Sequence, residues 1–244
     1  MELTYSFRIY LCILAFLFGT VFGSFLNCMA WRIAHHESVL KGRSHCAVCG
    51  HTLGAADLVP VFSYLFLKGK CRYCRHSISI RYLFAEVIGG ILGILSNNTF
   101  DFLIFMDLFA ISLYDHDTME IKDSYIIFLF CIAFLSIDKV YMTDHIFGAF
   151  IISAPMLVIA LMFKGFGGGD IKLMAVCGFW LGTERIIVSF IISCLSASIY
   201  SLIKIAEKKQ TLKERMPFAP FLSFGIIIGY LYGFRLIDFY ETLF

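Results

Sequence analysis

"ISAPMLVIALMFKGFGGGDIKLMAVCGFWLG", residues 152–182, decides the fold class. Two apolar runs flank a short segment in which Gly165, Gly167, Gly168 and Gly169 lead directly to Asp170. The rest of the chain has the same character. Of 244 residues, 59% are hydrophobic and only 16% charged, and the mean hydropathy is +0.82. A soluble domain is about 45–50% apolar and about 25% charged. A spanning helix needs roughly 20 mostly apolar residues, and such runs fall near 9–31, 82–97, 100–114, 123–141, 144–163, 171–183, 186–204 and 217–235. The expected fold is an all-α polytopic membrane protein with about eight transmembrane helices. Met1–Asn27 has a long apolar run and no small-residue cleavage site, so it is expected to remain as the first span. A net charge of +2 gives no electrostatic argument for nucleic acid.

Eight alternating spans define two sides. Sixteen of the 20 Lys and Arg residues fall on one side, among them Arg32 through Arg81 of a long loop, Lys122, Lys164, Lys172 and Lys204 through Arg215. The other side receives four: Arg8, Lys139, Arg185 and Arg235. Basic residues concentrate in cytoplasmic loops. The long loop is therefore expected in the cytoplasm and both termini outside. The expected organisation is a first transmembrane helix at 1–31, a cytoplasmic four-cysteine loop at 32–81, and a membrane core at 82–244.

That loop contains "HCAVCGHTL" and "KCRYCRHSI", which hold Cys46-x-x-Cys49 and Cys71-x-x-Cys74. Thiols stay reduced in the cytosol, and two such knuckles separated by a spacer of about 20 residues suit tetrahedral coordination of zinc. Redox-active or idle thiols are the alternative. Four thiolates leave no open position, so a zinc here is expected to be structural. His45, His51 and His76 are near enough to compete as ligands, but read better as surface residues. The other five cysteines are scattered through apolar segments, where a thiol acts as a small hydrophobe.

Acidic residues inside spans are costly, and each is a functional candidate. They are Glu86, Asp107, Asp115, Asp117 and Asp170. Asp115 ends the third span and Asp170 begins the sixth, both on the cytoplasmic side. Two carboxylates distant in sequence are thus expected at one membrane depth, as an aspartic dyad requires. Like charges held close cannot both ionise, so one retains a proton while the other activates water. Glycine admits backbone conformations closed to other residues and lets another chain approach. The competing reading of the glycine segment is a plain loop ending in an N-cap aspartate.

"GFGGGDIKL" at 165–173 resembles the G-x-G-D signature of type IV prepilin peptidases. So do "GSFLN" at 23–27 with Trp31-Arg32-Ile33, the paired Cys-x-x-Cys, "PVFSYLFLKGKCRYC" at 60–74 and "SIRYLFAE" at 79–86; "FAP" at 218–220 is a weaker echo. The length and the short cysteine loop are similar to Gram-positive competence pseudopilin-processing members. The resemblance implies an aspartic endopeptidase that removes a short basic leader from prepilins at the cytoplasmic membrane face. It maps the catalytic pair onto Asp115, in "LYDHDTMEI", and Asp170, with Asp117 as the nearest rival to Asp115 and no counterpart for Asp107. It also implies S-adenosylmethionine-dependent N-methylation of the new terminus in many members, associated with Gly23, the cysteine loop and Glu86. The family usually has proline where Lys122 and Leu83 stand. Two other functions stay open on the residues alone: a transporter relaying protons or ions through intramembrane acids, and a noncatalytic scaffold docking partners through the zinc loop.

Overall fold

The computed structural model describes residues 2–39, 42–163, 165–207 and 216–242. Lys41, Lys164, Lys208, Lys209, Lys213 and Arg215, which contribute to the charge asymmetry, lie outside the described residues. The α-helices are α1 (Glu2–Ala34), α2 (Phe62–Phe66), α3 (Ile80–Leu95), α4 (Thr99–Thr118), α5 (Asp123–Ser136), α6 (Met142–Ile151), α7 (Ser153–Phe163), α8 (Gly168–Leu181), α9 (Thr183–Ala206) and α10 (Ala219–Glu241). The only β pairing among the described residues is two isolated bridges in the cysteine loop.

Each expected span corresponds to a helix, with shifted ends. The run expected to continue to residue 141 stops at Ser136, because the Asp138 carboxylate accepts the Val140 N–H at 3.0 Å and starts a 3-10 turn over Lys139–Tyr141. The run at 144–163 breaks at Ile152 into α6 and α7. Pro155 has no N–H for the Ile151 carbonyl, and its ring crowds that group. Four segments are long and apolar enough to cross a bilayer: Phe7–Ala34, Lys139–Phe163, Thr183–Ala206 and Ala219–Glu241. The chain is an integral membrane protein on that ground. The other four expected spans are shorter or more polar. Helices α5 and α8 have 14 residues each, about 21 Å at 1.5 Å per residue, against a hydrocarbon core of about 30 Å.

The chain divides into two compact units, Met1–Met106 and Asp107–Phe244. In the first, α1 and α3 meet along a seam of small residues. A Cβ on Gly23 would lie 2.5 Å from the Ala85 carbonyl oxygen, and one on Gly89 would lie 2.8 Å from the Gly23 Cα. Lipid supplies little hydrophobic drive between helices, so close backbone packing is what joins them. In the second unit, α8 packs against α5, α6, α7, α9 and α10. The Ser189 and Ser193 side chains of α9 lie against Gly225 and Gly229 of α10, and the Ser223 hydroxyl donates to the Leu108 carbonyl of α4 at 3.1 Å. His145 Nδ1 pairs with the Phe179 carbonyl at 2.8 Å, joining α6 to α8.

The seam sets a testable limit. In Gly89→Leu the new side chain must enter space held by the backbone of α1, and overpacking of this kind costs about 1–3 kcal/mol or more. The melting temperature of the detergent-purified chain is expected to fall, while Ile88→Leu, at an exposed neighbour, leaves it unchanged. Equal melting of both variants would refute the seam.

Candidate active site and thiol cluster

Asp115 stands in the last turn of α4 and is 5% exposed. The first N–H groups of any helix lack intrahelical partners. Asp115 Oδ2 accepts one of them, the N–H of Ala219 at the start of α10, at 3.0 Å; the Phe218 N–H also bonds to this carboxylate. Pro220 follows within the first turn of α10, where its missing N–H costs nothing.

Asp170 is the third residue of α8. The helix begins at Gly168, three residues before the expected start, so the N-cap is Gly167 and not Asp170. Gly167 has no side chain with which to cap, and no side-chain cap bond is made there. None of the four glycines of the motif has a positive φ. Close approach is the property used here: a Cβ on Gly169 would lie 2.8 Å from the Ile121 side chain.

The two acids are electrostatic neighbours, because the charge of Asp115 acts on the Asp170 carboxyl. Their supporting segments meet as well, with the Phe166 and Phe218 ring centroids 6.0 Å apart. Each carboxylate sits at a helix N-terminus, where the macrodipole favours negative charge. Asp117, two residues beyond Asp115, does not share its helix face. Asp107 lies eight residues earlier, about 12 Å along the helix. It is buried, its Oδ2 has no hydrogen-bond partner among the described residues, and it neighbours Tyr125 and Cys177. Lys172 pairs with Asp123 at 2.6 Å in an exposed bridge. Lys122, in place of the family's usual proline, is the N-cap of α5 with φ −73°, a value the proline ring itself imposes.

In the first unit, Glu86 is 8% exposed and accepts two hydrogen bonds: from Ser24 Oγ of α1 at 2.8 Å and from the Val61 N–H at 2.6 Å. Arg81 Nε donates to Asn27 Oδ1 at 3.0 Å, a second polar link from α3 to α1. Gly23 is occupied by the α1–α3 seam. Glu86 and Gly23, expected from the resemblance to serve the cofactor, are thus engaged in a latch and a packing contact. Ser24, Val61, Phe218 and Ala219 are not singled out as site residues by the sequence. For Ala219 the proline pair Pro217 and Pro220 is the available signal of a helix start.

The four loop cysteines form one cluster whose sulfur atoms all lie within 4.8 Å of one another, with Cys46 and Cys74 Sγ 3.9 Å apart. A tetrahedral site with Zn–S bonds near 2.3 Å has sulfur edges of about 3.8 Å, so the cluster can hold zinc. The two knuckles are copies of one turn. The Cys46 N–H bonds to the His51 carbonyl at 3.0 Å, and Cys71 to His76 at 2.8 Å. The Gly50 N–H returns to Cys46 at 2.9 Å, and Arg75 to Cys71 at 3.0 Å. Gly50 and Arg75 share the left-handed turn, at φ 68° and 59°. Backbone N–H groups of Cys49 and Val48 pull the Cys46 thiol down to about 6. The His76 N–H favours the Cys74 thiolate, but burial and the neighbouring thiols outweigh it and push that thiol up to about 11. Asp57 braces the knuckles: it takes Arg72 Nε at 2.6 Å, the Tyr73 hydroxyl at 3.2 Å and the Gly54 N–H at 3.1 Å. Arg72 holds its carboxyl below the ordinary carboxylate range.

Residues 17–100 match the bacterial peptidase A24 N-terminal domain, and residues 102–202 match the type IV leader peptidase family. A protein of Bacillus subtilis (strain 168) named prepilin leader peptidase/N-methyltransferase is 34% identical over 239 residues, covering 92% of this chain and 96% of its own. Proteins of the same name from Pseudomonas putida and Aeromonas salmonicida (strain A449) are each 27% identical, covering 92% and 90% of this chain and 91% and 90% of their own. No solved structure matches the chain at a significant level. With both regions matched in order and that degree of identity along nearly its whole length, the chain belongs to the type IV leader peptidase family.

Proposed function

We propose that this chain is an aspartic endopeptidase that removes the short basic leader from type IV prepilins or pseudopilins, with Asp115 and Asp170 as its catalytic pair. The observation that carries the reading is the placement of these two acids, from helices far apart in sequence, at the starts of α10 and α8, whose lead-in residues Phe218 and Phe166 pack together. One carboxyl keeps a proton while the other takes a proton from water. The water oxygen adds to the scissile carbonyl carbon, and the resulting intermediate expels the new amine, which leaves with the proton. The glycine segment leaves room for a substrate backbone: a Cβ on Gly168 would meet nothing within 4 Å.

The site works at the cytoplasmic face in this reading, with both termini outside and the cysteine loop in the cytoplasm. The distribution of Lys and Arg supports that orientation. The Asp115–Ala219 bond adds that the end of α4 and the start of α10 lie at the same end of the unit. The thiol cluster is assigned one structural zinc, and the match of its sulfur spacing to a tetrahedral site supports this. N-methylation of the new terminus is a second proposed activity, supported by the names of the relatives. S-adenosylmethionine would supply the methyl group. Its place is assigned to the cavity of about 330 Å³ bordered by Ser24, Cys28, Met29, Arg32 and Pro60, where Ser24 adjoins Gly23 and donates to Glu86. This volume is at the small end of ligand sites. Arg32 there offers a guanidinium for a carboxylate.

Asp115→Asn and Asp170→Asn, each reconstituted with a short-leader prepilin, are expected to lose leader removal by at least about 10³-fold, as members of a catalytic unit do. Asp107→Asn is expected to cleave normally, because it neutralises an unpaired buried carboxyl distant from the pair. Normal cleavage by either of the first two, or loss in the third with its fold retained, would overturn the assignment. Product masses with and without S-adenosylmethionine report the methyl transfer.

Metal analysis of the purified chain is expected to give about one zinc per molecule, the stoichiometry of a closed four-thiolate site. Cys71→Ser is expected to lose the metal and to open the 42–79 segment to trypsin. A metal-free parent chain with a protease-resistant loop would refute the zinc assignment.

A further inference from the structure

Helix α2 has two unlike faces. On one, the Tyr64 hydroxyl donates to the Ile78 carbonyl at 3.2 Å, tying the helix to the second knuckle. The other presents Phe62, Leu65 and Phe66, spaced i, i+3 and i+4 and so on one face. All three are exposed, Phe66 at 82%. Leu58 and Val59, just before the helix, are exposed too. Lys68 and Lys70 follow it directly, and both are exposed. In water this would be a costly arrangement, and nothing among the described residues of the first unit covers it.

The depth of α2 identifies what does. Val61, at the helix entry, donates its N–H to Glu86, six residues into α3 and so about 9 Å along that helix from its start. Glu86 is joined in turn to Ser24, ten residues before the end of α1, or about 15 Å. The latch therefore holds the α2 entry alongside α1 and α3, well inside their ends. Val61 is β-branched yet has φ 63°, a conformation that persists only where the surroundings impose it. At this level α3 already exposes Phe84, at 58%, as lipid-facing helices do.

We propose that α2 is a lipid-docked anchor of the cysteine loop. Phe62, Leu65 and Phe66 sit in the boundary between headgroups and acyl chains, and Lys68 and Lys70 reach anionic phosphates beside them. The apolar face with lysines at its edge is the pattern of an interfacial element. The zinc knuckles are then held at the membrane surface, and α2 and Glu86 fix their height above it.

The test uses the full-length chain in vesicles of phosphatidylcholine and phosphatidylglycerol, with bromine on the acyl chains of the choline lipid. Phe66→Trp is compared with the parent, whose Trp31 and Trp180 emission is subtracted, and with Val48→Trp on the first knuckle. The added Phe66→Trp emission is expected to be blue-shifted, to lose about half its intensity to brominated lipid, and to resist aqueous acrylamide. Val48→Trp is expected to show the opposite pattern. Leu65→Trp serves as a second probe of the same face, and retained zinc reports the fold of each variant. If the probes at residues 65 and 66 respond to acrylamide like the one at residue 48, the proposal is wrong. If they become protected only when a prepilin is added, the face docks substrate and the lipid proposal is equally overturned.

Discussion

Backbone N–H groups at helix starts need acceptors, and this chain, with few polar side chains to spare, meets the need with carboxylates. Asp115 of α4 accepts the Ala219 N–H and so caps α10. Asp144 of α6 accepts the Thr183 N–H at 3.3 Å and caps α9. Glu86 takes the N–H of Val61 at the entry to α2. Even Asp101 and Asp138 bind backbone N–H groups beside their own turns. An acid in lipid is costly alone, but it becomes tolerable where it satisfies a donor that would otherwise be orphaned. The proposed catalytic pair draws on the same device, since Asp115 is one of these caps, and the bond that satisfies the start of α10 also fixes its carboxylate.

Much of this is legible in the residues. Hydropathy locates every helix of the membrane core, since nothing but an apolar run produces one. The expected crossings place Asp115 and Asp170 on one side, and the cysteine spacing announces a four-sulfur cluster. Helix ends are less legible, because they are set by single polar contacts. Asp138 ends one helix through its own side chain, and Pro155 breaks another three residues before its own position. The glycines before Asp170 mislead in part. They suggest unusual backbone angles, whereas the structure uses the missing side chain of Gly169 to admit Ile121.

Other features escape because their signals are tertiary or faint. Which donor Glu86 meets cannot be deduced from "SIRYLFAE"; Arg81, five residues before it, looks like the natural partner. Arg81 instead reaches Asn27, and Glu86 joins Ser24 to Val61. The duplication of the knuckles is visible in principle, since Cys46-x-x-Cys49-x-His51-Thr52 and Cys71-x-x-Cys74-x-His76-Ser77 repeat one pattern. The histidines in that pattern are near enough to compete as ligands but read as surface residues. Their structural contribution is the backbone carbonyl that receives the first cysteine's N–H in each knuckle, which a side-chain reading of the sequence does not weigh.

The short helices of the second unit complete the physical account. At 14 residues, α8 cannot reach across a hydrocarbon core of ordinary thickness. A helix of full length beginning at Gly168 would leave its first turn at the headgroups, open to bulk water and to competing ions. A short one, packed on several sides by neighbouring helices, ends inside the bilayer boundary, and the non-helical segment before it must then line a cavity or be enclosed by protein. Asp170 lies in the first turn of α8 and Asp115 at the α10 start, where the proposed cleavage would take place. In the proposed reaction a peptide bond at the edge of a substrate helix approaches there, because the exposed glycines ahead of Asp170 present backbone alone. Hydrolysis at a lipid boundary requires both water and shelter from it, and a truncated helix with a carboxylate in its first turn supplies the two together.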